Sequence, residues 1–424
     1  MLRLSTNDTG FEAAFTALVE ARRDSDEDIS RDVAFILSRV RSEGDAAVAE
    51  LTAKFDGHSL PWRIDSADCQ AALEALDPGL RAALELAAER IRAYHKGQRP
   101  HDRDDVDDVG VRLGARWNAV DAAGLYVPGG RAAYPSSVLM NAIPAKVAGV
   151  GRIVMVTPTP GGTANPLVLA AAALAGVDEV WRIGGAQAVG ALAYGTATIA
   201  PVDVIVGPGN AWVAEAKRQL YGRVGIDMVA GPSEILVVAD ADNDPDWIAA
   251  DLLSQAEHDP TSQSILITDD AAFADAVAEA VERTLPTLAT AAVARESWDA
   301  YGAIIVVDHF DNAPALLDRL APEHLELAIA DPQAMFARIR HAGSVFLGRH
   351  TPEAIGDYLA GPNHVLPTGR RARFASGLSV TDFMKRTSFI GCSPASLAAL
   401  GPAAVALARA EGLPAHARSI AVRL

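Results

Sequence analysis

The sequence predicts an α/β fold of two Rossmann-like, doubly wound modules, with a helical segment before them and a tail after them. Three observations lead to this prediction. The chain has 424 residues, which exceeds one typical domain. Half of the residues are hydrophobic and few are aromatic, a composition typical of α/β enzymes. From about residue 112, short β-branched runs alternate with alanine-rich helical patterns, which is the rhythm of a parallel sheet.

Helices are expected to account for most of the first hundred residues. Apolar periodicity predicts one helix over 11–22 and a second over 29–54, with a charged stretch over 22–28 between them. A third helix is predicted over about 78–98, and it ends in a basic and prolyl run.

The β-branched runs predict strands in two consecutive sets. The first set comprises residues 152–157, 179–183 and 202–206, each followed by a turn and a helical pattern. The second set comprises residues 235–239, 264–268, 303–307 and 344–347. The break between the two modules is expected near Gly231-Pro232-Ser233. Beyond Asp357 the chain is rich in loops and closes with a helix over about 396–411.

The stretch from Asp251 to Pro260 places polar and ionisable side chains at the end of a helix that should be buried. Asn243-Asp244-Pro245 offers a capping side chain followed by a proline at the first helical position, and Pro260 prevents continuation, so the helix is expected over about 245–258. Gln255 and His258 are three residues apart and share its inward face. They could satisfy local backbone groups and the helix dipole, or they could form half of a metal or substrate site.

Charge and cysteine content argue against several classes of protein. The net charge of −17 and the lack of a basic run argue against a nucleic acid partner. Cys69 and Cys392 are too few for a disulfide framework or a cysteine-rich zinc site, so a metal would take His, Asp, Glu or Gln ligands. No signal peptide or membrane span is evident. We therefore expect a cytoplasmic protein with no nucleic acid or membrane partner.

Three turns between strands and helices are rich in glycine. They are Gly129-Gly130, Gly184-Gly185-Ala186-Gln187 and Gly207-Pro208-Gly209-Asn210. Glycine lets the backbone approach a ligand closely, and the N–H groups that begin the next helix can bind a phosphate. However, no strand is followed by the G-x-G-x-x-G fingerprint. A dinucleotide site and a purely structural role both stay open.

Glu323 and His324 are adjacent and precede a predicted strand. A carboxylate and an imidazole side by side can act as two separate proton acceptors, although a surface position with an incidental histidine is equally compatible. Asp357 lies in a turn, where aspartate often serves only the turn, and His416 is an isolated histidine of the tail. Together with Gln255 and His258, these last two residues would make a credible zinc ligand set, but their scatter along the chain does not establish it.

These stretches and several others closely resemble the histidinol dehydrogenase family over nearly the whole chain. The matching stretches are 125–130, 184–188, 207–210, 231–234, 251–260, 322–326, 363–368 and 411–417. The resemblance implies an enzyme that oxidises L-histidinol to L-histidine through the aldehyde with two NAD, the last two steps of histidine biosynthesis. It also implies a homodimer with shared active sites.

The resemblance further implies the roles of individual residues. One zinc ion (Zn2+) per subunit would be bound by Gln255, His258, Asp357 and His416, with His416 supplied by the partner subunit. NAD would contact Tyr126, Gln187 and Asn210. The substrate would be held by Ser233, Gln255, His258, His324, Asp357, Glu411 and His416. Glu323 would activate the water that adds to the aldehyde, and His324 would accept protons during the oxidations. Zinc, which has no redox role, would orient the substrate.

We expect the following division into domains. Residues 1–23 would form a helical segment that packs with the tail. Residues 24–120 and 234–375 would form the Rossmann-like domain with the zinc and catalytic residues, and residues 121–233 would form the second Rossmann-like domain. Residues 376–424 would form a dimer-swapped dimerisation tail.

Two alternative functions remain. One is a zinc- and NAD-dependent dehydrogenase of another small alcohol, in which Glu411 and His416 should differ. The other is a zinc hydrolase in which Glu323 only activates water.

Overall fold

Two six-stranded sheets organise the computed structural model, which describes residues 1–21, 27–129 and 134–424. The predicted α/β fold is confirmed. Arg22 at the end of the first predicted helix and Gly130 of the first glycine turn lie outside the described residues.

The described strands are β1 (Leu2–Ser5), β2 (Arg63–Ile64), β3 (Arg103–Val106), β4 (Val111–Ala119), β5 (Ala122–Tyr126), β6 (Arg152–Val156), β7 (Glu179–Trp181), β8 (Val204–Val206), β9 (Gly225–Ile226), β10 (Glu234–Ala239), β11 (Gln263–Thr268), β12 (Ala303–Val306), β13 (His324–Ala328), β14 (Ser344–Leu347) and β15 (Met384–Cys392). The described α-helices are α1 (Phe11–Glu20), α2 (Glu27–Glu43), α3 (Asp45–Phe55), α4 (Ser66–Glu74), α5 (Pro78–Lys96), α6 (Pro135–Ala148), α7 (Pro166–Ala175), α8 (Gly185–Tyr194), α9 (Ala211–Leu220), α10 (Pro245–Ala256), α11 (Ala271–Thr284), α12 (Ala291–Tyr301), α13 (Ala313–Leu320), α14 (Pro332–Phe336), α15 (Glu353–Tyr358), α16 (Pro394–Ala410) and α17 (Pro414–Ala421).

Both large sheets have the strand order of a Rossmann fold. The first sheet runs β1-β12-β11-β10-β13-β14 and is parallel throughout. The second sheet runs β2-β7-β6-β5-β8-β9, with only its edge strand β2 antiparallel among the described pairs. Each sheet has one edge strand, β1 or β2, that comes first in the chain. When the other five strands of a sheet are numbered 1 to 5 along the chain, their order across the sheet is 3-2-1-4-5. The order therefore reverses between β10 and β13 in the first sheet and between β5 and β8 in the second.

The helices α2, α3, α4 and α5 pack on the second sheet. Val33 of α2 and Val48 of α3 share a core with Val154 of β6, and Ile91 of α5 shares another core with Leu125 of β5. This packing differs from the expected grouping of residues 24–120 with residues 234–375. Periodicity shows which face of a helix is apolar, but it does not show which sheet covers that face.

The N-terminal segment joins the first sheet. Strand β1 pairs with β12, and Phe15 of α1 lies in the same core as Leu236 of β10. The packing of residues 1–23 with the tail stays a prediction. A strand of four residues at a sheet edge has too short a pattern for sequence to assign its partner.

The second predicted helix is broken in two. Gly44 separates α2 from α3 and has a φ of +58°, a conformation that favours glycine. The tail also differs from expectation, because it begins with a strand. Strand β15 pairs antiparallel with β4 over nine residues, from Met384 opposite Ala119 to Cys392 opposite Val111. This third sheet, β15-β4-β3, connects the tail to the rest of the chain.

No helix in the described part of the chain combines the length and the apolar character needed to cross a membrane.

Candidate functional site

The predicted catalytic pair lies at the amino ends of the first sheet, where its strand order reverses. His324 is the first residue of β13 and pairs with Ile235 of β10, which places Glu323 beside Ser233 and Glu234. Helix α10 runs back along the sheet and brings Gln255 to the same end. Ligands of open α/β sheets usually bind at the carboxyl ends of the strands, so this site lies at the opposite edge.

One residue of β10 orients both members of the pair. The backbone N–H of Glu234 donates to Oε2 of Glu323 over 2.9 Å, and the carbonyl of Glu234 lies 2.9 Å from Nδ1 of His324. Since a carbonyl only accepts, Nδ1 must carry the proton in this bond. The other ring nitrogen, Nε2, is buried and has no hydrogen-bond partner within the described structure. His324 therefore presents Nε2 as a proton acceptor.

Burial changes the proton affinity of both residues in the direction that base catalysis needs. It raises the pKa of Glu323 well above the usual carboxyl value, and the N–H of Glu234 opposes the rise only in part. It lowers the pKa of His324, which keeps the imidazole neutral. A general base works best when its pKa lies near the working pH. The raised pKa makes the carboxylate of Glu323 a stronger base than an exposed carboxylate, and the neutral imidazole of His324 can accept a proton.

Gln255 and His258 meet as predicted. Helix α10 begins at Pro245 after Asp244, whose side chain caps it, and Gln255 is fully buried. Its Nε2 lies 3.0 Å from Nδ1 of the exposed His258. Its Oε1 is buried and unpartnered among the described residues. An orphaned buried oxygen is costly, so Gln255 fits a ligand or a metal at this point.

Asp357 lies near this pair and near His324, in helix α15 and not in the expected turn. Burial alone would raise the pKa of Asp357, but the His364 imidazole, with Nδ1 at 3.6 Å from Oδ1, brings it below the usual value. Asp357 is therefore held as a carboxylate. An amide oxygen, an imidazole and a carboxylate are a donor set that suits zinc.

Glu353 is a member of the site that the sequence analysis missed. Ligand atoms of His324, Glu353 and Asp357 all lie within 4.8 Å of one another. Oε1 of Glu353 lies 3.5 Å from Nε2 of His324, and in the described structure neither atom has a hydrogen-bond partner. The spacing held a signal, because Glu353 and Asp357 are four residues apart and share one face of α15.

Two further acids, the buried Glu326 and the partly buried Asp251, lie next to Glu353, and the sequence analysis gave neither of them a role. Burial and the charge of Asp251 together raise the pKa of Glu326 to about 9, and burial raises the pKa of Asp251 to about 6. Burial likewise raises the pKa of Glu353 to about 8. In β13, Glu326 follows His324 by two residues, so their side chains leave the same face of the strand. The spacing of two residues could therefore have indicated that Glu326 lies on the same side of the strand as His324.

The predicted cofactor residues lie at the carboxyl ends of the second sheet. Tyr126 ends β5, Gln187 lies in the first turn of α8 after β7, and Asn210 follows β8. The hydroxyl of the buried Tyr126 accepts a 3.0 Å hydrogen bond from the N–H of Gly185. This bond connects the end of β5 to the glycine turn that begins at Gly184. Burial also raises the pKa of Tyr126 to about 12, so its hydroxyl stays protonated.

Gln187 and Asn210 differ in how far their side chains are already engaged. Gln187 is almost fully buried, and a Cβ added at Gly185 would lie 2.7 Å from its Oε1. The exposed Asn210 caps α9, because its Oδ1 accepts from the N–H groups of Trp212 and Val213 over 3.1 and 3.2 Å. These two bonds occupy the N–H groups of Trp212 and Val213 at the start of α9, so the oxygen of Asn210 caps this helix.

The structure does not bring every predicted residue together within one chain. Glu411 follows α16 and His416 lies in α17, and both are exposed. Across residues 1–21, 27–129 and 134–424, no hydrogen bond or ion pair joins either residue to the groups around His324. Ser233 lies one residue before β10 and is partly buried. The roles of all these residues remain predictions.

Comparison with known proteins agrees with the geometry. The sequence profile of the histidinol dehydrogenase family matches residues 19–424. The chain is similar to the histidinol dehydrogenase of Zymomonas mobilis, at 65% identity over 100% of this chain and 99% of that protein. It is also similar to the histidinol dehydrogenase of Rhodospirillum rubrum, at 63% identity over 100% of this chain and 98% of that protein.

A solved structure extends this agreement to the fold. The crystal structure of histidinol dehydrogenase from Elizabethkingia anophelis is similar to this chain with a TM-score of 0.95 and 36% identity. The alignment covers 100% of this chain and 98% of that one. Sequence profile, full-length relatives and fold therefore place the chain in the histidinol dehydrogenase family, whose members are NAD-dependent oxidoreductases.

Proposed function

We propose that the chain oxidises L-histidinol to L-histidine through the aldehyde, with two NAD consumed for each substrate. The observation that carries the proposal is the arrangement of Glu323 and His324 on the two polar groups of Glu234. This arrangement supplies two proton acceptors at one point. A two-stage oxidation of an alcohol to a carboxylate needs one acceptor for the hydroxyl proton and one for the attacking water.

The first stage requires the removal of a proton from the substrate hydroxyl. We assign this step to Nε2 of His324, which is buried, unprotonated and without a hydrogen-bond partner in the described structure. The lowered pKa of His324 lets the proton leave again before the second stage. Members of the family generally bind zinc and NAD. When bound, zinc would orient the substrate nitrogens, and NAD would accept two electrons in each stage.

The second stage requires an activated water. We assign its activation to Glu323, because its bond from Glu234 fixes the carboxyl group and burial moves its pKa toward neutral pH. Water adds to the aldehyde carbon, its proton passes to Glu323, and the hydrate then loses its hydroxyl proton to His324. Both residues are about 95% buried, with 5% of each exposed, which limits access of other water to the aldehyde.

The proposal includes the ligand and contact roles that the resemblance to the family implies. Gln255, His258 and Asp357 would hold zinc, with the partner subunit's His416 as the fourth ligand of a homodimer. These residues, together with Ser233, His324 and Glu411, would contact the substrate, and Tyr126, Gln187 and Asn210 would contact NAD. The unpartnered Oε1 of Gln255 supports the zinc assignment. A cytoplasmic location agrees with the two free cysteines.

The test is to incubate the purified protein with L-histidinol and NAD and to measure NADH and L-histidine. We expect two NADH for each L-histidine. If no NADH forms, the proposed oxidation is wrong. If another small alcohol is oxidised faster, the alternative dehydrogenase is correct. A protein that hydrolyses a test ester or amide but never forms NADH would be the zinc hydrolase.

A further inference from the structure

A buried ion pair lies beneath one of the glycine turns of the second sheet. Lys217 of α9 and Asp227, just after β9, contact each other through Nζ and Oδ1, and their side chains are 2% and 0% exposed. Removing two charges from water is costly, and an apolar pair would often serve stability as well. The pair therefore calls for an explanation other than stability.

Both charged groups also bind the same glycine. Nζ of Lys217 donates to the carbonyl oxygen of Gly207 over 2.9 Å, and Oδ2 of Asp227 accepts from the N–H of Gly207 over 2.8 Å. Oδ1 of Asp227 also accepts from the N–H of Met228 over 2.6 Å. The ion pair thus satisfies both backbone polar groups of Gly207 with charge-assisted hydrogen bonds, which are stronger than neutral ones.

Gly207 is a position where the backbone cannot move far. It follows β8 directly, at the point where the strand order of the sheet reverses, and its φ is +110°. A Cβ at this position would lie 2.1 Å from the carbonyl oxygen of Tyr126. Gly207 also begins the turn that ends at Asn210. The ion pair therefore fixes a turn located between two of the proposed cofactor contacts.

We propose that Lys217 and Asp227 are positioning residues that hold the turn 207–210 in the conformation that binds NAD. Neither side chain reaches the surface, so they act through Gly207 and not by contact with the cofactor. A turn that is held before binding loses less conformational freedom when the ligand arrives, which increases affinity. This inference rests on the proposed function insofar as it takes the turn 207–210 as part of the NAD site.

The test compares the Lys217→Met variant with the double variant Lys217→Met/Asp227→Leu. The single variant leaves a buried carboxylate without its cation, so we expect a lower unfolding temperature and weaker NAD binding. The double variant buries no charge, so we expect its unfolding temperature to recover at least in part. Its KM for NAD should still be raised at least about tenfold, while its KM for L-histidinol should stay within about twofold of the original.

The control is Lys146→Met/Asp178→Leu, which removes a partly exposed ion pair of the same sheet, with Nζ and Oδ2 3.0 Å apart. This control should leave both KM values unchanged. NADH binding measured by fluorescence titration provides a readout that does not need turnover, so it separates this inference from the proposed substrate. If the double variant regains both stability and NAD affinity, or if both KM values rise in parallel, the positioning role is wrong.

A milder variant keeps the test decisive should the double variant fail to fold. Asp227→Asn retains the shape of the side chain and weakens its bond to the N–H of Gly207. Hydrogen exchange of the segment 203–211, followed by mass spectrometry, should show faster exchange in this variant together with weaker NADH binding. Unchanged NADH binding in a variant with faster exchange would also overturn the proposal.

Discussion

The N–H of Glu234 donates a 2.9 Å hydrogen bond to Oε2 of Glu323. Because the same residue holds His324 through its carbonyl group, the two proton acceptors cannot rotate independently of β10. Their free atoms are therefore presented together at the amino end of the sheet. The two residues nevertheless have different assigned tasks, which makes the pair separable by experiment.

We predict that Glu323→Gln impairs the second oxidation more than the first. The amide cannot take a proton from water, so the NADH formed for each L-histidinol should fall from two toward one, and the aldehyde should accumulate. General base catalysis contributes about 10²- to 10⁴-fold, and we expect a loss of the second step in that range. NADH yield and trapping of the aldehyde measure the effect.

The same variant should also change the pH dependence. Burial holds the pKa of Glu323 well above its usual value, so the rate of aldehyde oxidation should rise with pH through that raised pKa. Glu323→Gln should remove this rise. The exposed Glu296→Gln is the control and should keep the original profile. Equal losses in both oxidations would contradict the separate role of Glu323.

Gln255→Ala should reduce the affinity for zinc. Oε1 of Gln255 is a buried oxygen without a hydrogen-bond partner in the described structure, and a metal ion would satisfy it. Loss of one ligand should weaken zinc binding by at least about tenfold. Competition with a chelator, read as zinc content per chain, measures this without any assay of turnover. The exposed Gln70→Ala should retain zinc fully, and equal zinc retention in both variants would remove Gln255 from the ligand set.

The homodimer proposal predicts recovery of activity when two inactive variants are mixed. His258→Ala and His416→Ala each remove one ligand, and both should be inactive alone. If the site takes His416 from the other subunit, a mixed dimer holds one intact site, so complete exchange of equal amounts should restore about a quarter of the original activity. Activity after subunit exchange is the measurement. No recovery, in dimers shown to have exchanged, would place His416 in its own chain's site.

Glu326→Gln should flatten the dependence of stability on pH. The pKa of Glu326 is raised to about 9 in the folded chain by burial and by Asp251, whereas the unfolded side chain titrates near its ordinary value of 4.5. Folding must therefore bind a proton between these values, so the free energy of unfolding falls as pH rises from about 4.5 to about 9. In Glu326→Gln, this fall should be smaller by at least about 1 kcal/mol.

Denaturant unfolding of the zinc-free protein at pH 5, 7 and 9 would measure this effect. Zinc-free protein is required because a bound cation would change the proton affinity of the neighbouring acids. Glu296→Gln again serves as the comparison, since its side chain is exposed and should leave the slope unchanged. Parallel curves for the original chain and Glu326→Gln would show that Glu326 is ionised in the folded protein.

Much of the fold could be predicted from local patterns. The strand at β11 and the helix at α10 are long, periodic and bounded by clear signals, so the predictions for 264–268 and 245–258 agree with the structure within two residues. Strands β4 and β15 were missed because their pairing is set by residues some 270 positions apart. A ladder between such distant segments leaves little trace in a local window.

The site was predictable in part for the same reason. Gln255 and His258 are close in sequence, and their side chains are in contact as their spacing predicts, but only Gln255 points inward because His258 is exposed. The cluster around Glu353 requires α15 to pack beside β13, which only the folded chain shows. Buried acids are also rare, so composition gives no reason to expect Glu326 inside the protein.

The pairing of β4 with β15 has a consequence for the neighbouring subunit. Side chains alternate between the two faces of a ladder, so a shift of one residue between Ala119 and Met384 would turn every following side chain of β15 to the opposite face. It would also displace α16 and α17, which follow directly. Under the proposed supply of His416 to the partner subunit, an insertion or deletion within 111–119 would therefore weaken the zinc site of the partner.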